Sequence, residues 1–360
     1  MSSLAGGGME RSMLNIAKGM IAGGHRVDLL LNIAEGPHLK HLPQGMRVFE
    51  FGRRRRLGMR SINAVLSLVR YMRQEKPHAI YSALGPQNVQ LLLASKISRS
   101  ECRCIISVRK TFSVEGQRSG FYRRAHHRAY GILYPSAYAI IAVSNGVKRY
   151  LVEHLSMPDS LISVVHNPVS SEEIIRKSCE PVADPWLNGN PMPVILAVGR
   201  LSPEKGFDVL IDAFRLVVKK RQARLIILGE GELRGSLAGR IEQLGLGGNV
   251  GMPGFVDNPF AYMSRADLFV LSSSREAFGN VLVEALACGC PVVSTDCPYG
   301  PREILEDGLW GTLTPVGDPE ALARAILESL DTIVQREKLV ERARFFSVER
   351  AVDGYLSLQR

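Results

Sequence analysis

Short runs of valine, isoleucine and leucine alternate with amphipathic stretches along the whole chain. Most runs are continuously apolar, which is typical of a strand buried on both faces of a parallel sheet. A parallel connection needs a crossover of a dozen or more residues, and stretches such as 61–75 and 87–97 supply it. The sequence therefore predicts an α/β fold, with strands at His25–Asn32, Met46–Gly52, His78–Leu84, Arg103–Arg109, Tyr138–Ser144, Ile162–Asn167, Val194–Arg200, Arg224–Glu230, Asn249–Phe255, Leu268–Ser273 and Pro291–Thr295.

The length of 360 residues exceeds that of one ordinary core, so we expect two doubly wound, Rossmann-like domains facing a cleft. A stretch rich in proline, asparagine and charge separates them. We place the N-terminal domain at 1–168, a linker at 169–192, the C-terminal domain at 193–345, and a C-terminal helix, packing back toward the N-terminal domain, at 346–360.

The first domain begins unusually. A doubly wound domain opens with a central strand that leads into a glycine-rich turn. Here only Met1–Leu4 precede the stretch that contains Gly6, Gly7 and Gly8. We therefore expect the first strand of this domain to be missing.

The composition excludes several classes of protein. No apolar run approaches the ~18 residues of a membrane-spanning helix, and the N-terminus does not resemble a signal peptide. The six cysteines form no CxxC pair, which favours structural thiols in a reducing cytoplasm and no metal site.

Positive charge is concentrated in the first half. Residues 51–150 hold 19 basic and 3 acidic side chains. The run Arg53–Arg56 and a basic, aromatic stretch at 118–138 resemble a membrane-surface signature. We expect peripheral contact with an anionic membrane at its cytoplasmic face, a solvated loop and ordinary core helix being the alternative. A motif that reads nucleic acid is absent, so no nucleic-acid partner is expected.

The stretch 276–293, EAFGNVLVEALACGCPVV, places two glutamates in an otherwise apolar segment. Phe278, Gly279 and Asn280 indicate a helix start, so Glu276 lies in the loop before the helix and Glu284 lies within it. Backbone N–H groups at a helix start attract phosphate, and carboxylates accept hydrogen bonds from sugar hydroxyls. The alternative is that both glutamates sit on a solvated helix face.

A strand that ends at Gly199 and Arg200 opens the second domain, and Lys205 follows in the same turn before a helix predicted to start at Gly206. Ligands of open α/β sheets bind at the carboxyl ends of the strands. Two cations there are suited to a diphosphate, although loop cations are often only solvated.

These segments, taken in order, resemble family-4 glycosyltransferases of the GT-B fold, in particular bacterial enzymes of lipopolysaccharide or surface-glycan synthesis. The resemblance rests on GRLSPEKG at 199–206, GEG at 229–231, the two glutamates eight positions apart, and Asp318–Pro319. It covers nearly the whole chain and is most specific over 194–330.

The resemblance implies a retaining, metal-independent hexosyl transfer from a nucleotide sugar to a glycan or glycolipid, with UDP as the expected nucleotide and no further cofactor. It implies catalytic roles for Arg200, Lys205 and Glu276. The donor-binding residues implied by the same match are Gly7, Gly8, Gly199, Gly229, Gly231, Phe255, Val256, Phe278, Gly279, Asn280 and Glu284.

One departure concerns the acceptor side. Many relatives carry a histidine where this chain has Arg109, so we treat Arg109, His126 and His127 as acceptor-side candidates. A sugar-nucleotide epimerase of the same fold, and a silent nucleotide-sugar-binding protein, remain the alternative functions.

Overall fold

The computed structural model describes residues 8–36, 38–39, 42–51, 60–109, 128–189 and 191–359. The chain forms two compact units, the first made of 1–168 with 348–360 and the second of 169–347. Every strand pairing within them is parallel, which confirms the predicted fold class. Among the described residues, no helix combines the length and apolar character needed to cross a bilayer.

The first unit holds a two-stranded sheet, β1–β2, and a four-stranded sheet in the order β3-β4-β5-β6. The expected absence of a first strand concerns residues ahead of Gly8, which lie outside the described residues. The elements are α1 (Gly8–Ala22), β1 (Asp28–Leu31), β2 (Arg47–Glu50), α2 (Arg60–Glu75), β3 (Ala79–Ser82), α3 (Gly85–Ser98), β4 (Arg103–Val108), β5 (Ala139–Ala142), α4 (Asn145–Leu155) and β6 (Ile162–Val164).

The last helix of the chain completes the core of this unit. It packs against α1, and its buried Val352 and Tyr355 share one cluster with Ile16 of α1 and Ile105 of β4. Helix α1 also contacts the other sheet, because Leu14 packs with leucines of β1. Apolar residues on two sides of α1 thus join the parts of the first unit.

The second unit is one six-stranded sheet in the order β12-β11-β10-β7-β8-β9. Helices cover it and bury a core that includes Phe214, Leu225 and Ile326. Its elements, followed by the C-terminal helix of the first unit, are α5 (Ser171–Ser178), β7 (Val194–Val198), α6 (Phe207–Val218), β8 (Arg224–Leu228), α7 (Arg234–Gln243), β9 (Val250–Gly254), α8 (Pro259–Met263), β10 (Leu268–Leu271), α9 (Asn280–Ala287), β11 (Val292–Thr295), α10 (Pro301–Ile304), β12 (Thr312–Thr314), α11 (Pro319–Asp331), α12 (Arg336–Arg344) and α13 (Val348–Ser357).

The segment interpreted as a linker forms a packed helix within the second unit. Ser170 caps α5 by accepting from the N–H of Glu173, and Ile174 is buried. Asn258 donates to the carbonyl of Lys177 at 2.9 Å, which fastens the end of α5 beside α8. The N-cap, the buried Ile174 and the hydrogen bond from Asn258 therefore hold α5 against the second unit.

Glycines let the turns after β7 and β8 meet backbone to backbone. Gly229 has φ 138°, and a Cβ there would lie 1.9 Å from the carbonyl oxygen of Gly199. A Cβ on Gly231 would lie 2.3 Å from the oxygen of Leu201, whose N–H donates to Glu230 at 2.9 Å. Larger residues would push the two turns apart.

We predict that Gly229→Ala lowers the free energy of unfolding by at least ~2 kcal/mol, because the added Cβ meets backbone at a φ that only glycine adopts easily. Gly239→Ala is the matched control, since a Cβ there meets nothing within 4 Å. The control gains ~0.5–1 kcal/mol from helix propensity. Urea unfolding curves measure both, and equal values for the two variants would contradict the prediction.

Candidate functional site

The carboxyl edge of the second sheet contains a topological switch point between β7 and β10. The chain runs from β7 outward to β8 and β9, and then returns to place β10 on the other side of β7. A crevice opens where neighbouring connections leave in opposite directions, and this is where open α/β sheets bind ligands. Lys205 follows β7, and Glu276 follows β10.

An ion pair joins these two turns. Lys205 Nζ lies 2.5 Å from Glu276 Oε1, and Ser273 Oγ donates to the same oxygen at 2.9 Å. The two charged side chains are 20% and 14% exposed, so they are shielded but still reachable from solvent. In the described part of the chain both hydrogen bonds to this carboxylate fall on Oε1, which leaves Oε2 able to accept from a ligand.

The turn that carries Lys205 is fixed to the turn after β10. Ser272 Oγ donates to the carbonyl of Lys205 at 2.9 Å. Gly206 has φ 60°, and a Cβ there would lie 2.3 Å from the oxygen of Ser272. Gly206 is the N-cap of α6, which begins at Phe207 and not at Gly206 itself as predicted.

The predicted helix start at 278–280 is present. Gly279 is the N-cap of α9, whose first residue is Asn280, and Glu284 is half-buried within the helix. Phe278 is buried and packs edge-on against Phe346, with ring centroids 5.4 Å apart. The aromatic contact thus fixes the loop between Glu276 and α9.

A buried arginine that sequence reasoning missed supports this loop from behind. Arg342 donates from Nε to the carbonyl of Ile304 at 2.9 Å, and its guanidinium lies 4.9 Å from the ring centre of Phe346. It also pairs with Glu306 at 2.6 Å. Burial lowers the pKa of Arg342 from its usual value, and Glu306 opposes that change. The one sequence signal is its place in ERARFF, three residues before the first of two phenylalanines.

Cys297 lies close to the ion pair as a neutral thiol. The pKa of Cys297 is raised to about 12, mainly by burial. The negative charge of Glu276 also raises this pKa, and the positive charge of Lys205 lowers it by a smaller amount. All six cysteines are free; Cys104, Cys290 and Cys297 are buried, and Cys179 is exposed. The described ranges contain no cluster of three or more His, Cys, Asp or Glu side chains placed to hold a metal.

The other donor-side candidates lie at the same edge. Arg200 is exposed at the end of β7 and forms no ion pair with a described residue. Phe255 follows β9 and is 67% exposed, and the half-buried Val256 comes next. Gly199, Gly229 and Gly231 have the backbone-packing role described above, and their contact with a donor remains a prediction.

The candidates of the first unit divide into two groups. Gly7, His126 and His127 lie outside the described residues, and Gly8 begins α1. Arg109 is buried, and donates to Asn167 Oδ1 at 2.8 Å and to the Tyr355 hydroxyl at 2.9 Å. Its Nε is buried and has no hydrogen-bond partner among the described residues. Arg109 therefore ties β4 to the C-terminal helix, and its acceptor role stays a prediction.

Comparison with known proteins matches both halves of the chain. The family described as Glycosyltransferase Family 4 matches residues 6–173, and that described as Glycosyl transferases group 1 matches residues 184–345.

Curated relatives act in glycan synthesis. The chain is 32% identical over 251 residues to the N-acetylgalactosamine-N,N'-diacetylbacillosaminyl-diphospho-undecaprenol 4-alpha-N-acetylgalactosaminyltransferase of Campylobacter jejuni, covering 69% of this chain and 65% of that protein. It is 38% identical over 171 residues to the lipopolysaccharide core biosynthesis glycosyltransferase LpsE of Rhizobium meliloti, covering 46% of this chain and 49% of that protein. The chain thus spans less than two thirds of the length of either relative.

Solved structures share the fold. Anabaena Alr3699/HepE, crystallised in complex with UDP, superposes with a TM-score of 0.81 at 24% identity, covering 99% of both chains. Two matched segments in succession and a full-length structural match lead to one conclusion: the chain belongs to the family-4 glycosyltransferases of the GT-B fold.

Proposed function

We propose that this protein transfers a hexose-type sugar, with retention of anomeric configuration, from a nucleotide sugar to a glycan or glycolipid acceptor in the synthesis of a bacterial surface polysaccharide or lipopolysaccharide. The observation that carries the proposal is the Lys205–Glu276 pair at the switch point, with Nζ and Oε1 2.5 Å apart. It sets a cation for phosphate beside a carboxylate for sugar hydroxyls in one crevice.

The donor would lie along the carboxyl edge of the second sheet. Lys205 and Arg200 would bind the diphosphate, and backbone N–H groups at the start of α9 would add donors to it. Glu276 would accept from hydroxyls of the transferred sugar, and Glu284 from those of the ribose. The exposed ring of Phe255 suits the base. We infer UDP as the nucleotide, supported by the UDP complex of the Anabaena protein.

The transfer would take place on one face of the sugar. The acceptor oxygen forms its bond to the anomeric carbon while the bond from that carbon to the diphosphate breaks. The leaving diphosphate oxygen takes the acceptor's proton, and the cations stabilise the charge that develops on it. The name of the Campylobacter relative gives an α-linked product, which corresponds to retention if the donor sugar is α-linked.

We further propose that no divalent metal is required. A metal in such a reaction would neutralise the leaving diphosphate. Here Lys205 is held in the crevice by Glu276, whose carboxylate also accepts from Ser273, and Arg200 stands exposed at the end of the same strand. Two side-chain cations can fill that electrostatic role without a bound ion.

A product assay tests the reaction itself. The purified chain is incubated with a panel of nucleotide sugars and lipid-linked glycan acceptors in excess chelator, and products are analysed by mass and by anomeric configuration. We expect a glycoside with the donor's configuration. An epimerised nucleotide sugar would instead support an epimerase. Donor binding without turnover would support a silent binding protein. Activity that appears only when the chelator is left out would support a metal-dependent enzyme.

Lys205→Ala should lower turnover by at least ~100-fold, the scale of one electrostatic contact to a leaving group. Lys219→Ala is the matched control, because Lys219 is exposed at the end of α6. Steady-state kinetics with a saturating donor measure both variants. If the turnover of Lys205→Ala stayed within roughly threefold of the control, Lys205 would not stabilise the leaving diphosphate as proposed.

The two glutamates should separate in a binding experiment. Glu284→Ala should weaken the affinity for bare UDP, because it removes the acceptor for ribose hydroxyls. Glu276→Gln should instead reduce discrimination between epimeric donor sugars. Glu242→Ala, an exposed change on α7, is the control. Unchanged UDP affinity in Glu284→Ala by calorimetry would show that the ribose assignment is wrong.

A further inference from the structure

A short loop between β11 and α10 lies beside the loop that carries Glu276. The backbone N–H of Glu276 donates to the carbonyl of Pro298 at 3.1 Å, and the N–H of Gly300 donates to the carbonyl of Glu276 at 3.4 Å. These two hydrogen bonds form a parallel bridge that pairs Glu276 with Tyr299. We refer to residues 296–300 as the tyrosine loop.

The pairing determines the side from which the tyrosine side chain leaves its backbone. Partners in a parallel ladder project their side chains to the same side, from backbones about 4.8 Å apart. The carboxylate of Glu276 lies in the crevice, where it meets Lys205. The half-buried side chain of Tyr299 therefore leaves its backbone on the side of the crevice.

A neighbouring thiol supports this placement. Cys297 precedes Tyr299 by two residues and is buried. The pKa of Cys297 responds to the charges of both Glu276 and Lys205, so its sulfur lies near the ion pair. The tyrosine loop thus passes the ion pair before it reaches Tyr299.

The tyrosine loop is held at both ends. At its start, the carboxylate of Asp296 accepts from Arg302 Nε at 3.0 Å. At its other end, a Cβ on Gly300 would lie 1.7 Å from the carbonyl oxygen of Phe278, so glycine is required for this close approach. A backbone fixed in this way presents the tyrosine side chain to the crevice without a change of loop conformation.

We propose that Tyr299 is a specificity-determining residue for the transferred sugar, with its ring packed against the C–H face of the hexose. This inference rests on the proposed function, in which Glu276 accepts from hydroxyls of the same sugar. The two side chains start one ladder spacing apart, so a single hexose can contact both. The phenol ring offers an apolar surface that the carboxylate lacks, and aromatic side chains commonly line ligand pockets.

A ring in this position distinguishes epimers by the face that they present. Inversion at one carbon of a hexose moves a hydroxyl from the edge of the sugar ring toward one of its faces. A hydroxyl turned against the phenol ring loses its hydrogen bonds to water and gains no partner, which is costly. Glu276 thus binds hydroxyls at the edge of the sugar, and Tyr299 selects against a hydroxyl on its face.

The inference concerns the second unit alone. The membrane contact expected from the sequence belongs to the first unit, where Arg53–Arg56 and residues 118–127 lie outside the described residues. That contact stays a prediction.

Calorimetry and steady-state kinetics with UDP, UDP-glucose, UDP-galactose and the N-acetylated forms of both sugars test the proposal. Tyr299→Ala should weaken the affinity for the preferred UDP-sugar about tenfold, the scale of one aromatic contact, and leave the affinity for UDP unchanged. A contact made equally in the ground state and the transition state raises KM and leaves kcat unchanged. The ratio of kcat/KM between the two epimeric donors should fall by at least ~fivefold.

Tyr299→Phe and Tyr262→Ala are the matched controls. The first keeps the ring and should behave as the unaltered protein does. The second removes another half-buried tyrosine of the second unit, near the end of α8 and ahead of β10, and should leave donor binding unchanged. Thermal unfolding checks that every variant folds. If Tyr299→Ala does not fold, Tyr299→Gln takes its place, because it keeps much of the bulk and lacks the apolar ring.

Three outcomes would overturn the proposal. They are unchanged donor affinity and epimer ratio in Tyr299→Ala, an equal loss in Tyr299→Phe, which would assign the contact to the hydroxyl, and a fall in kcat or in UDP affinity, which would show an effect on the diphosphate site. The unaltered protein separates this inference from the proposed function. If it forms no glycoside from any donor, the proposed function fails and the inference falls with it. If it forms one and Tyr299→Ala is unaffected, only the role of Tyr299 is wrong.

Discussion

The ion pair between Lys205 and Glu276 is the contact on which the arrangement of the second unit's crevice depends. It joins residues 71 positions apart, because the strand order returns the chain to β7 after β9. Ser273 shares the carboxylate, and Gly206 allows the two turns to approach. A shielded pair of this kind adds little net stability, since desolvation offsets attraction. Its value in our proposal is to hold a cation and a carboxylate ready for one ligand.

Much of this fold follows from local patterns. Continuous apolar runs predicted parallel strands within a few residues of their observed bounds. The helix start at 278–280 is confirmed, because Gly279 is the N-cap of α9. Asp318 and Pro319, which the resemblance singled out, are the N-cap and the first residue of α11. These features need only neighbours in the chain, which is why the sequence suffices for them.

What could not be predicted depends on strand order and distant packing. The short strand Thr312–Thr314 carries too few apolar residues to stand out. The direct contact of Lys205 with Glu276 requires β10 beside β7, which no local pattern specifies. Arg342 and Arg109 look like surface cations in the sequence, and they are buried because aromatic rings, carbonyls and a helix from elsewhere in the chain surround them.

A crystal structure of the protein with bound UDP tests the central claim most directly. The account predicts that the diphosphate lies at the carboxyl edge of the second sheet, within hydrogen-bond distance of Lys205 Nζ, with the ribose against Glu284. Glu276 should remain beside the site that the sugar would occupy. A diphosphate bound away from the turns after β7 and β10, with the Lys205–Glu276 pair untouched, would contradict the account.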